Sequence, residues 1–203
     1  MAPENLLPAE LNEVLNSPEF DDDAGLLVDS AKFIEESLII TFSIKYSEDQ
    51  EMTNQLWNII VGGIEEEHIS TNWAQNINIY KEHVLLLAYN DIHTELYFKG
   101  TTNRSQELFI DIFKSITKLS SDSPFISKYI FSPEAIDELS QQGYGLFARG
   151  PKTILKIYEQ CLIKYGIKPS LIGEMKPSKK SLELLILGDS YFIGENFTFE
   201  KID

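Results

Sequence analysis

Apolar positions along the chain are spaced first at helical intervals, then in alternation, then helically again, and finally in alternation. Leu7, Leu11, Val14 and Leu15 recur at helical spacing around Pro8, and Ser17-Pro18 stops the run, so a short helix is expected from Pro8 to about Asn16. From about residue 26 to 100 the pattern is that of strands: "SLIITFSIKY", "NQLWNIIVGGIEEEHI", "NINIYK", "HVLLLAY" and "HTELYFKG" are rich in β-branched and aromatic residues. "LLVDSAKFI" (Leu26 to Ile34) fits a strand or a short helix, and Gly62-Gly63 marks a bulge or bend. Short links between these runs predict an antiparallel meander.

Helical spacing returns in "SQELFIDIFKSITKL", with Phe109, Ile112, Phe113 and Ile116 on one stripe and Asn103 as cap. "SPEAIDELSQQ" offers Ser132 as N-cap and Pro133 at the first helical position. A strand, "GYGLFAR", leads into the helix "GPKTILKIYEQCLIKYG", whose stripe is Ile154, Leu155, Tyr158, Cys161, Leu162 and Tyr165. Residues 168–180 read as an exposed basic connection, and "LELLILGDSYFIGENFTFEKI" as a hairpin. The fold class that follows is α+β: an antiparallel β-meander over about residues 26–100, helices packed on one face, and a C-terminal β-hairpin.

Composition narrows the class. The 203 residues suit a single α+β domain, 1–203, and 43% hydrophobic with 24% charged residues is ordinary for a chain with a buried core. The first residues carry acidic side chains and no basic ones, so no targeting segment is expected, and no apolar run is long enough to cross a membrane. A single cysteine, Cys161, excludes an internal disulfide and fits a reducing, cytoplasmic setting. The net charge of −15 lies wholly in the acidic meander half, 1–100, with 19 acidic against 4 basic residues; the half 101–203 has 13 of each. Such a charge disfavours direct binding to nucleic acid and favours a basic partner.

Four stretches carry candidate chemistry. "GLFARGPKT" (Gly145 to Thr153) departs from a phosphate loop by Pro151, which breaks the spacing and removes an amide donor. A capped helix explains it better, with Gly150 before the helix, Pro151 at its first position and Gly166 at its end. Arg149, Gly150, Lys152 and Thr153 still surround a helix N-terminus, where free amides favour an anion or a carboxylate from the acidic half. "LLILGDSYFIG" resembles the nucleophile block of GDS-type esterases at Gly188, Asp189 and Ser190. That resemblance implies a serine nucleophile and a following histidine, yet the last histidine of the chain is His93, so Gly188-Asp189 reads as a two-residue hairpin turn.

In "NDIHTELY", Asp91, His93, Glu95 and Tyr97 share one side of a regular strand. A two-residue turn at Asn90-Asp91 sets Glu82 against Lys99 and puts His83 and His93 on opposite faces, so that they share no metal; a turn of other parity reverses this. His68 follows "GIEEE", at a solvated edge, and "EFDDDAG" reads as a loop without the ligand alternation of a calcium site. No metal and no cofactor is expected. Trp57 and Trp73 are expected to be core or half-buried strand residues, packing a sheet face, and Cys161 to be a small buried hydrophobe.

The leading expectation is a non-catalytic domain that binds a basic protein or peptide, as adaptors, chaperones and immunity proteins do, with Glu65, Glu66 and Glu67 as contact residues. The alternative is a small-molecule or anion-binding protein or enzyme with its site near Arg149–Lys152. A third reading has the acidic half occupying a basic groove in place of nucleic acid.

Overall fold

The computed structural model describes residues 6–20, 23–48, 51–119, 124–177 and 180–202; Asp21 and Asp22 of the aspartate loop lie outside them. In chain order the elements are α1 (Ala9–Leu15), β1 (Gly25–Ile34), β2 (Ser37–Glu48), β3 (Glu51–Gly62), β4 (Glu66–His68) and β5 (Ile77–Tyr80). A 3₁₀ turn (Val84–Leu86), α2 (Leu87–Asn90), β6 (His93–Lys99) and α3 (Ser105–Leu119) follow. After a 3₁₀ helix (Pro124–Tyr129) come α4 (Pro133–Gln142), β7 (Tyr144–Pro151), α5 (Lys152–Lys164), β8 (Lys168–Met175), β9 (Glu183–Leu187), β10 (Ser190–Gly194) and β11 (Asn196–Ile202). The class is α+β, with antiparallel sheets and helices packed against sheet faces.

The chain forms two compact units, Met1–Glu82 with Lys180–Asp203, and His83–Lys179. The first is a sandwich of two four-stranded antiparallel sheets, ordered β1-β2-β3-β11 and β4-β10-β9-β5. Only β1, β2 and β3 keep the expected meander; β4 and β5 flank a hairpin supplied by the far end of the chain. Alternation selects the inner face. Leu38, Ile40 and Phe42 of β2 lie opposite Val61, Ile59 and Trp57 of β3, and all six are buried. Ile77, Leu185, Leu187 and Phe192 of the second sheet close the same core, and Leu11 of α1 joins it. Each such side chain contributes about 1.5–3 kcal/mol by leaving water.

The expected long strand "NQLWNIIVGGIEEEHI" breaks at Gly62-Gly63, where the chain leaves one sheet for the other. The β10–β11 junction makes the same crossing beside it, and the corners bind each other: Glu195 N–H donates to Gly62 O (2.8 Å) and Glu65 N–H to Ile193 O (2.9 Å). The hairpin turn at Gly188-Asp189 is present, with Leu187 opposite Ser190. Gly188 has φ +54, and a Cβ there would stand 2.4 Å from Ala74 Cβ, so both conformation and space demand glycine.

The second unit is a three-stranded sheet, β7-β6-β8, with Leu96 and Phe98 of the central strand packed into one core with α3, α4 and α5. α4 begins as expected, Ser132 Oγ accepting from Ala135 N–H. Pro151 caps α5 instead of taking its first helical position. The helix ends in a Schellman motif, with Ile167 N–H on Leu162 O (3.1 Å), Gly166 N–H on Ile163 O (3.0 Å) and Gly166 at φ +77.

Several expectations are corrected. "HVLLLAY" is helical instead of extended: His83 Nδ1 accepts from Leu85 N–H (3.2 Å) and starts the turn. Lys99 therefore pairs with Tyr144 and Lys168, not with Glu82. Residues 168–175 form the edge strand β8 instead of a connection. In α3 the buried stripe is Leu108, Ile112 and Ile116, while Phe113 is exposed. Trp57 is core, but Trp73 is 54% exposed, lying against Gly25 with the Lys45 ammonium over its ring.

Candidate functional site

The N-terminus of α5 already holds a carboxylate. Asp91, in the turn before β6, accepts Ile92 N–H through Oδ1 (2.7 Å) and Thr153 N–H through Oδ2 (2.7 Å). The neighbouring Lys152 N–H donates to Ile92 O (2.8 Å). The Thr153 amide is thus engaged by a side chain from the acidic half, and that of Lys152 by a backbone carbonyl. The cations around them are paired too. Arg149 Nε meets Glu95 Oε1 at 2.6 Å, and Lys152 Nζ meets the carboxylate of Glu174, whose pKa it holds below the usual range. Gly150 lies opposite Thr94 in the β6–β7 ladder. Glu95 also accepts from Tyr97 OH (2.8 Å), a bond that pushes the phenol pKa up. The four residues of the predicted anion site are close together and face partners of their own.

Glu65, Glu66 and Glu67 lie on the corner leading into β4 and in that edge strand. Glu65 pairs with Lys180 (2.5 Å), which also reaches Glu195 (3.5 Å). Glu66 accepts from Tyr191 OH (2.7 Å), and the Tyr191 ring stacks on His68. Glu67 is exposed. The three are therefore unequal: two fasten the edge strand, and one faces solvent.

Ser190 is fully buried, accepting from Ser70 N–H (2.8 Å) and donating to Ser70 O (3.2 Å). Its hydroxyl staples the hairpin to the segment after β4. Asp189 accepts from Asn72 Nδ2 (3.1 Å). Of the histidines, His93 Nε2 donates to Ala88 O (2.9 Å), while burial lowers the His83 pKa to about 4. Among the described residues, no three His, Cys, Asp or Glu side chains are grouped to hold a metal ion. Cys161 is buried, and burial raises its pKa, which keeps the thiol protonated.

Sequence reasoning missed a cavity of about 390 Å³ within the second unit. Ile154, Leu155 and Tyr158 of α5 form one side, and Ile130 and Phe131 of the segment before α4 form another. The exposed Lys128 and Arg149 also line it. Phe131 and Tyr158 belong to a cluster of edge-packed rings with Phe147, at centroid distances of 5.3–5.8 Å. Tyr158 donates its hydroxyl to Tyr129 O (2.5 Å), and burial pushes its pKa well above the ordinary phenol value. Arg149 links the cavity to the site expected from sequence, and Ala148 and Pro151 of the same "GLFARGPKT" stretch line it too.

Comparison of the chain with protein-family models, curated proteins and solved structures returns no match. No helix among the described residues is long and apolar enough to cross a membrane.

Proposed function

We propose that the chain is a non-catalytic binding protein whose sandwich unit engages a basic protein or peptide. The observation that carries this is how charge divides between the units. The sandwich segments hold 22 Asp and Glu against 5 Lys and Arg, a net of −17, while residues 83–179 hold 10 against 12, a net of +2. One-to-one pairing neutralises at most five of the 22 carboxylates, so the sandwich presents a strong negative field whichever internal pairs form. Such a field steers a cationic partner and raises its association rate. Glu67, exposed on the edge strand β4, is the contact residue best placed for direct engagement.

A lysine-rich peptide titrated into the full chain tests this. Glu67→Lys and Glu36→Lys change net charge equally at two exposed positions. The expected result is about a tenfold loss of affinity for Glu67→Lys and a far smaller loss for Glu36→Lys, with affinity falling steeply as salt rises. Equal losses would reduce the interaction to nonspecific attraction by a polyanion. No binding at low salt would remove the reading.

A further inference from the structure

We infer that the cavity beside α5 binds a small amphipathic anion, a planar apolar body bearing one carboxylate. In a chain of net charge −15, no Asp or Glu lines this cavity among the described residues, whereas Lys128 and Arg149 do. The remaining lining is aliphatic and aromatic, supplied chiefly by Ile130, Phe131, Ile154, Leu155 and Tyr158. A volume of about 390 Å³ falls in the range of small-molecule pockets, which combine apolar walls with a few polar groups that fix orientation.

Those polar groups can be assigned. Tyr158 spends its hydroxyl on the Tyr129 carbonyl and so offers its ring. A flat aromatic body suits a wall that already contains edge-packed Phe131 and Tyr158. Recognition of the charged end falls to Arg149 and to Lys128, whose ammonium lies 5.8 Å from the centroid of the Tyr89 ring. Arg149 gives its Nε edge to Glu95, and a guanidinium carries five N–H donors, so it can serve a second carboxylate. The Thr153 amide takes no part, because Asp91 holds it. The ligand class is therefore not a bare anion such as inorganic phosphate, which gains nothing from the apolar walls. This site is independent of the acidic sandwich and of the partner proposed for it.

Isothermal titration of the full chain with 2-naphthoate, with 2-naphthamide as neutral counterpart and inorganic phosphate as an anion without a body, tests the inference. Naphthoate is expected to bind, the amide about tenfold more weakly, and phosphate not measurably. Lys128→Gln and Arg149→Gln, both at exposed positions and checked for unchanged thermal unfolding, are each expected to weaken naphthoate several-fold. Naphthoate binding no tighter than the amide, or unchanged in both variants, would overturn the assignment. So would an absence of heat at millimolar naphthoate.

Discussion

The sandwich and the inserted unit bury their cores by opposite routes. The sandwich is assembled from the two ends of the chain: β9 and β10 form the middle of its second sheet and β11 closes its first, so early strands depend on late ones. The inserted unit is one continuous stretch, His83–Lys179, whose sheet and helices are supplied from within. Charge follows the same division, concentrated in the discontinuous unit and nearly balanced in the continuous one. A long-range sheet and a local helix–sheet layer thus hold two different surfaces, one a broad negative field and the other a small concave site that no carboxylate among the described residues lines.

Ending the chain after Lys179 breaks this comparison most severely. It removes both central strands of the second sheet and should abolish the cooperative unfolding of the sandwich, while the inserted unit keeps its helices. Spectroscopy separates the two, because both tryptophans, Trp57 and Trp73, lie in the sandwich and α2 to α5 lie in the insert. Tryptophan emission should become that of an unfolded chain while helical circular dichroism largely persists.

Glycine substitution gives a smaller and graded effect. Gly188→Ala meets both a left-handed φ and Ala74 Cβ at 2.4 Å, and should cost about 2–4 kcal/mol in denaturant unfolding followed by tryptophan emission. Gly166→Ala, at φ +77 with open space around it, should cost about 1 kcal/mol, read by the helical signal.

An effect of similar size to that at Gly166 is set by pH. His83 has its pKa lowered to about 4 by burial, against 6.5 when unfolded. Folding therefore favours the neutral ring. Its contribution is complete above pH 6.5 and is lost as pH falls towards 4, where the unfolded chain binds the extra proton. Allowing for solvent screening of a half-buried ring, the loss should be about 1–2 kcal/mol. His83→Asn, which can still accept from the Leu85 amide, should flatten stability over that window.

How much of this was legible follows from how local each signal is. Alternation in β2 and β3, the Ser132-Pro133 start of α4 and the stripe of α5 are written in neighbouring residues, and each forms as read. The run Val84–Leu87 is apolar throughout, so periodicity cannot separate strand from helix, and the His83 cap decides it. β8 carries Pro169 and Gly173 and buries little, so it lacks a strand signature and exists through pairing with β6. The carboxylate at the α5 N-terminus was foreseeable as a type, but that Asp91 supplies it depends on the turn before β6. The cavity was not legible, because Lys128, Phe131, Arg149 and Tyr158 meet only once the sheet and helices have packed.

If the two units carry separate binding chemistries, two probes should mark two different sets of amides. Backbone amide chemical shifts of the labelled full chain, recorded with the lysine-rich peptide and then with 2-naphthoate, test it most directly. Peptide should perturb the sandwich around β4, and naphthoate should perturb residues around 128–131 and 148–158. Both probes shifting the same residues, or the peptide acting mainly on the inserted unit, would contradict it.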